Sequence, residues 1–205
     1  MKKASFSEIN RIIQWLKERK KETIMEIKKI SFSDLDQWYL DRETGNIKHN
    51  TGKFFSIIGI DVHTNRGIIN NWSQPIIKQP EIGILGIITQ RRDGELYFLM
   101  QAKIEPGNLN YIQLSPTLQA TKSNYTQVHQ GEKPLYLEYF QDGNNEVLVD
   151  QLQSEQGARF LIKRNRNIVI NVNSEIPVYE NFRWMTLQQV VQLLCINNTV
   201  NMDTR

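Results

Sequence analysis

The chain has 205 residues, and its 25 Lys+Arg against 22 Asp+Glu leave a formal charge of +3. All of that excess sits in residues 1–50, which hold 11 basic and 8 acidic side chains, while residues 51–205 hold 14 of each. A chain neutral over three quarters of its length excludes a broad electrostatic binder of nucleic acid or membrane, its single cysteine excludes an internal disulfide, and no run approaches the ~20 apolar residues of a membrane span.

In chain order, Ser5 with Glu8 three residues on reads as a capping box. Ile9, Ile12, Ile13 and Leu16 follow at helical spacing, so residues 6–22 are predicted to be an amphipathic helix. Its far face carries Arg11, Lys17, Lys20 and Lys21 and reads as solvated. The start is charged and amphipathic, without the apolar core of a signal peptide. Met25–Ile30 reads as a short strand. Ser33 to Asp36 opens a helical turn that delivers Trp38. Phe54–Val62 is an Ile-rich strand, Arg66-Gly67 a turn, and Gly67–Trp72 a second strand. Glu81–Gln90 is nearly all apolar and should be buried on both faces. Asp93-Gly94 marks a hairpin turn into the returning strand Glu95–Ile104, which Pro106-Gly107 stops. Tyr111–Leu114 and Leu118–Thr121 are short extended pieces around Pro116, and 122–134 reads as loop. Leu135–Phe140 and Val147–Gln153 are strand or helix candidates. Phe160–Val172 ends in a clean alternation, with Ile168, Ile170 and Val172 set against Val169 and Asn171. Trp184–Ile196 closes the chain as a helix whose apolar face holds Cys195. The order helix, many strands, helix is an α+β domain. With no repeat and no Gly/Ser linker, 1–205 reads as one unit, 6–50 forming a helix with short strands and 51–205 the core.

Candidate chemistry lies in polar blocks. Asn and Gln together number 36 of 205 residues and crowd residues 101–130 and 151–173, where paired donors and acceptors suit a ligand rich in hydroxyls and carbonyls. On a strand, Gln101, Lys103 and Glu105 share one face, and Asn108 follows. Lys103 beside Glu105 is an ion pair, an anion holder or an acid/base couple. Thr117, Gln119, Thr121 and Ser123 alternate, with Asn124 and Tyr125 next. This pattern fits sugar or phosphate recognition, and equally an exposed edge strand. Gln153, Glu155, Arg164, Asn165, Arg166 and Asn167 form the third block. Arg164 and Arg166 share a strand face suited to clamping a diphosphate. Trp72, followed by Gln74, is a candidate for stacking on a ring. His63 and His129 titrate near neutrality and are candidate bases. A metal site is not expected from three separated histidines and one cysteine. Phosphate-loop, dinucleotide and nucleophile-elbow motifs are absent.

Taken together, several ordered stretches resemble one family, the NDP-hexose 2,3-dehydratases of deoxysugar biosynthesis. They are Asp41–Phe55, Asn71–Gly86, Phe98–Asn108, Gln113–Tyr125, Asp150–Gly157, Arg159–Asn167, Trp184–Leu187 and the terminal Asn201-Met202-Asp203-Thr204-Arg205. The resemblance implies a Nudix-like mixed sheet between helices, lacking the glutamate motif that binds Mg²⁺ in Nudix hydrolases. It implies a nucleotide-linked 4-keto-6-deoxyhexose as substrate, commonly the dTDP form, and elimination of water across C2–C3 without metal or nicotinamide cofactor. Family members usually carry two such units in one chain, so this single unit is either a piece of a longer chain or a one-unit protein that restores the pair as a homodimer. A cytoplasmic setting follows by default from the charged start and the single cysteine. Within that reaction Lys103, Glu105, Glu155 and Tyr125 are the acid, base and enolate-stabilising candidates. Arg164 and Arg166 would hold the diphosphate, Trp72 the nucleobase, and the remaining polar side chains the sugar and nucleoside. The competing readings are a non-catalytic nucleotide-sugar-binding half and a Nudix-type hydrolase with a degenerate metal site.

Overall fold

A computed structural model describes residues 4–121 and 133–204. The first helix, α1 (Phe6–Glu22), begins at the expected capping box, with Ser5 and Glu8 bonding each other's backbone N–H. Its buried Ile9 and Ile12 pack against Val190 and Leu193 of the last helix. Trp15 Nε1 donates to the Glu180 carbonyl at 3.1 Å, which fixes the helix on the body. No strand forms at Met25–Ile30. The segment finds no neighbouring strand, and Ile24, Ile27 and Ile30 stand exposed, so local alternation had nothing to pair with. The turn after Ser31 is a short 3-10 helix (Phe32–Asp34) leading to Trp38.

Two sheets follow. The first is antiparallel in the order β1 (Trp38–Leu40), β2 (Ile47–His49), β3 (Ser56–His63) and β4 (Asn71–Lys78). The strand expected at Gly67–Trp72 begins only at Asn71, leaving Ile68 and Ile69 exposed. Pro75 is tolerated because β4 is an edge of this sheet. Beyond it, Ile77 exchanges backbone bonds with Arg159 and Leu161, both at 2.9 Å, tying the first sheet to the second.

The second sheet contains β5 (Gly83–Arg92), β6 (Glu95–Ile104), β7 (Ile112–Ser115), β8 (Leu118–Ala120), β9 (Glu146–Ser154), β10 (Arg164–Asn171) and β11 (Phe182–Thr186). Its spine runs β11-β6-β5-β10-β9, with β7 on β6 and β8 on β5. Only β5 and β10 pair in parallel among these described strands. The β5–β6 hairpin turns at Asp93-Gly94, both with positive φ (49° and 81°). One face of the sheet buries Ile88, Leu99, Ile168 and Ile170 against α2 (Leu137–Gln141), through Leu137 and Phe140. The other buries Met100, Leu114 and Met185 against α1 and α3 (Leu187–Leu194). A Cβ on Gly86 would lie 2.5 Å from Phe140 Cε1, so only glycine lets α2 sit this close to β5. The architecture is thus α+β, a mixed sheet between helices. Cys195, expected in the core, is exposed at the end of α3. No helix is long and apolar enough to cross a membrane among the described residues.

The feature that shapes the molecule is a fork. β5 and β6 pair from Arg92↔Glu95 to Ile88↔Leu99 and then part. β8 takes over the freed edge of β5, and β7 that of β6. The chain passes between them through Ser115-Pro116-Thr117. Thr117 is 2% exposed and stands at the branch point. Its Oγ1 accepts from the Ile88 N–H at 2.9 Å and donates to the Leu99 carbonyl. One hydroxyl therefore satisfies the last backbone groups of two separating strands. Replacing Thr117 with Val keeps the shape and strands both groups. Denaturant unfolding should show a loss of about 3 kcal/mol, and a loss below about 0.5 kcal/mol would mean the fork does not depend on this hydroxyl.

Candidate functional site

Between the arms of the fork lies a cleft of about 380 Å³. The β5 arm supplies Gly83 and Leu85, β8 supplies Gln119, β10 supplies Asn165, and β6 supplies Lys103. Glu155 enters just after β9, and Asp203 from the C-terminal 3-10 turn (Met202–Thr204). That turn is anchored by backbone bonds between Asn201 N–H and the Leu114 carbonyl (2.9 Å) and between Leu114 N–H and the Thr199 carbonyl (2.8 Å). A smaller space of about 250 Å³ continues the cleft past Gln153, Asn167 and Met202, sharing Glu155, Asn165 and Asp203 with it.

Hydrogen bonds fix the walls. Glu105 Oε1 accepts from Gln119 Nε2 at 3.0 Å and Oε2 from Asn108 Nδ2 at 3.2 Å, and Lys103 Nζ lies 3.7 Å from Oε1. Gln119 in turn accepts from Asn201 Nδ2 at 3.3 Å. Glu105 therefore ties the two arms together at the open end of the fork. Across the cleft, Glu155 Oε2 accepts from Asn165 Nδ2 at 2.6 Å and Oε1 from the Gln156 N–H at 3.1 Å. Asn165 stands over Gly83, where a Cβ would sit 2.9 Å from Asn165 Oδ1. Buried Lys163 donates to the Glu81 carbonyl.

The charges in this space perturb one another. Burial lowers the pKa of Lys103, opposed by the nearby carboxylates Glu105 and Asp203. Burial likewise lowers that of Lys163. Asp203 is pushed up to about 6, first by burial and then by the negative charges of Glu155 and Glu105, with Lys103 pulling the other way. A carboxylic acid poised near neutrality beside an anchored carboxylate is an arrangement for proton exchange.

The structure brings Lys103, Glu155, Gln119, Thr121 and Asn165 to the main cleft, and Gln153 and Asn167 to its extension. Glu105 stands behind Lys103 and Gln119, accepting from Gln119 and from Asn108 and lying 3.7 Å from the Lys103 ammonium. Other expected residues lie elsewhere. Thr117 is buried in the fork, and the Gln101 side chain accepts from Ser115 Oγ at 3.5 Å. Arg164 and Arg166 alternate with Asn165 and Asn167 and so face away from the cleft. Arg166 instead grips Asp150 through two bonds of 2.7 and 2.6 Å. Trp72 is exposed on β4, its Nε1 bonded to Gln74 at 2.8 Å, and Gln74 Nε2 donates to the Ala158 carbonyl at 3.0 Å. His63 is exposed between Asp61 and Asn71. Ser123, Asn124, Tyr125 and His129 lie outside the described residues. The sequence reading gave no chemical role to Asp203, Lys163 or Arg159, which all line the cleft. Their signal was present in the stretches Arg159–Asn167 and Asn201–Arg205. Strand periodicity cannot reach them, because they sit in turns or just outside a strand. Among the described residues, no group of three or more His, Cys, Asp or Glu is placed to hold a metal ion.

A family model described as NDP-hexose 2,3-dehydratase matches residues 9–205, and the chain belongs to that family. Three relatives carry the name dTDP-4-dehydro-6-deoxy-alpha-D-glucopyranose 2,3-dehydratase. The one from Saccharopolyspora spinosa is 53% identical over 192 residues, covering 93% of this chain and 40% of the relative. That from Amycolatopsis orientalis is 45% identical over 197 residues, covering 93% and 42%. That from Streptomyces violaceoruber is 46% identical over 193 residues, covering 93% and 44%. The chain thus spans about two fifths of the length of the curated relatives it matches. A chain in the crystal structure of the complex between the C-terminal domain of mouse MUTYH and human PCNA aligns over 61% of this chain and 82% of that one. Its TM-score is 0.35 and its identity 13%, too loose a likeness to assign a fold.

The raised pKa of Asp203 has a consequence of definite sign. A carboxyl that holds its proton more tightly when folded stabilises the fold below its unfolded value near 4, and that contribution is lost as pH rises through about 6. Thermal melts of wild type and Asp203→Asn should therefore diverge between pH 4 and 7, the variant gaining a few degrees on wild type toward pH 7. Parallel curves would show that Asp203 titrates normally.

Proposed function

We propose that this member of the NDP-hexose 2,3-dehydratase family acts as a hydro-lyase on a nucleotide-linked 4-keto-6-deoxyhexose. The substrate is the dTDP-4-keto-6-deoxyglucose named for its relatives. The reaction removes water across C2–C3 in deoxysugar biosynthesis. The observation that carries this reading is the meeting of Lys103, Glu155 and Asp203 in one cleft of a chain from this family. The reading includes a Nudix-like core formed by residues 51–205, a single unit paired with a second copy, and a cytoplasmic setting.

The 4-keto group acidifies the C3 hydrogen, and a base must take it while the oxygen of the resulting enolate is stabilised. Glu155 is the base, since it lines both parts of the cleft. Glu105, held by Asn108 and Gln119, orients Lys103 in preference to acting itself. Lys103 donates to the enolate oxygen. Its proximity to Glu105 and Asp203 opposes the loss of charge that burial favours. Asp203 protonates the departing C2 hydroxyl, so Glu155 gains one proton, Asp203 loses one, and one water leaves. The product enol becomes the 3,4-diketo sugar by proton transfer to C2. The two carboxyls are distinguished by environment: burial and the neighbouring negative charges raise the pKa of Asp203, while Glu155 is held by the Asn165 amide and the Gln156 N–H. Arg159 and Lys163, which line the same cleft, supply positive charge for the diphosphate. Gln119, Asn165 and the extension past Gln153 and Asn167 present amides to the sugar hydroxyls.

One observation favours a second reading. The chain spans about two fifths of its relatives, which fits a nucleotide-sugar-binding half whose turnover needs the remainder. Incubation with dTDP-4-keto-6-deoxyglucose in deuterated water, without added metal, followed by NMR and mass spectrometry, separates the two. Loss of one water with deuterium entering at C2 is expected. An intact sugar together with a dTDP-induced rise in melting temperature would establish the binding half. In the active protein, Lys103→Ala and Glu155→Gln should each lower turnover about 10²- to 10⁴-fold. Glu105→Gln should cost less, and wild-type turnover in Glu155→Gln would remove it as the base.

A further inference from the structure

A second cavity, of about 390 Å³, opens on the first sheet outside the cleft. Tyr39 of β1, His49 of β2, and Phe54 and Phe55 ahead of β3 give it an aromatic wall. The His49, Phe54 and Phe55 rings are held in place. Trp38 packs edge-on to His49 at 5.2 Å and against Phe55 at 4.8 Å, and His49 lies edge-on to Phe54 at 4.4 Å. His49 is only 8% exposed, and its Nδ1 accepts the Thr51 N–H at 3.2 Å with the Thr51 hydroxyl at 2.9 Å. Asn50, Thr51 and Ser56 add hydrogen-bonding groups beside the rings. Two lysines reach the same space. Lys48 is engaged by Asp41, and Lys78, at the end of β4, is exposed.

Ordered rings, amide and hydroxyl groups, and a cation together fit a flat heteroaromatic ring that carries phosphate. The ring faces stack, the ring edges form hydrogen bonds, and the lysine meets the phosphate. The position is equally specific. Lys78 and Pro80 line this cavity, while Gln79 between them lines the cleft. The two spaces are therefore neighbours across a wall one chain thick. Trp72 does not serve either space, since it is bonded to Gln74 further back along β4.

We propose that the cavity bounded by Tyr39, Phe54, Phe55 and Lys78 is the nucleoside subsite. It takes the pyrimidine ring of the nucleotide sugar, whose phosphates pass over the Lys78–Pro80 wall toward Arg159 and Lys163. The inference rests on the nucleotide-sugar reading above and assigns the nucleoside end of that substrate.

The probe is deoxythymidine monophosphate, titrated into the full 205-residue chain by calorimetry and by amide NMR. Binding should perturb amides around Tyr39 and from Lys48 to Ser56. Affinity should fall about tenfold in Tyr39→Ala and in Lys78→Ala, as expected for one stacking or phosphate contact. It should stay at the wild-type value in Lys103→Ala. Both altered side chains near the cavity are exposed, and circular dichroism of each variant checks that it is folded. Unchanged affinity in both variants, amide changes confined to the cleft, or no binding at millimolar nucleotide would each overturn the proposal. Nucleotide binding that follows this pattern without dehydration of the sugar would sink the dehydratase reading and leave the subsite standing. Dehydration with KM unchanged in Tyr39→Ala would do the reverse.

Discussion

Everything in this molecule depends on one hydroxyl at a branch in a sheet. Two antiparallel strands that separate in mid-course leave a backbone N–H and a carbonyl facing nothing, and a buried unpaired group costs free energy comparable to a lost hydrogen bond. Thr117 meets the Ile88 N–H and the Leu99 carbonyl at once. β5 and β6 can then diverge without penalty, and β7 and β8 cap the two freed edges. Pro116 beside it brings no N–H of its own to the junction. The opening that results is what the polar side chains line. Without the branch, β6 would continue along β5 and Lys103 would face a continuous sheet.

The electrostatics of the cleft follow from that opening. Lys103 comes from one arm and Glu155 follows the outermost strand of the other, while Asp203 is carried in by a terminal turn pinned to β7. Each group arrives from a different part of the chain, so none can relax away from the others without disturbing a strand. Two carboxyls and a lysine held in partial burial cannot all carry their ordinary charge. The burden falls on Asp203, to whose oxygens no described residue donates, while Glu155 has the side-chain amide of Asn165 and a backbone N–H. The two carboxyls thereby differ through their surroundings, with no difference in residue chemistry needed.

Much of the scaffold was legible in sequence because local rules sufficed there. The capping box of α1, the positive-φ pair at Asp93-Gly94 and the strand ending at Ile104 are decided within a few residues. Met25–Ile30 shows the limit, since alternation makes a strand only if another strand lies alongside. Gly67–Trp72 failed for a related reason. The strand was set by pairing with β3 from Ser56↔Lys78 to His63↔Asn71, which no property of residues 67–70 announces. Cys195 shares its helix with apolar neighbours but falls at the cap, where the chain leaves the core.

The site itself was half legible, and the division is physical. Period two correctly groups residues that share a face but does not say which face is lined. Arg164 and Arg166 were grouped correctly as a pair, yet the opposite parity of β10, Asn165 and Asn167, faces the cleft. The arginines lie where β9 brings Asp150, the register partner of Ile168, diagonally within reach of Arg166. Beside Lys103, positive charge in the cleft comes from Arg159 and Lys163, which precede β10 and lie outside its alternation. Lys163 is held there because its ammonium reaches the Glu81 carbonyl just before β5, a contact created by the parallel pairing of β5 with β10. A parallel pair places the starts of both strands at the same end. The residues preceding β5 and β10 are thus brought together at the mouth of the fork, and the positive charge and the opening arise from the same topological choice.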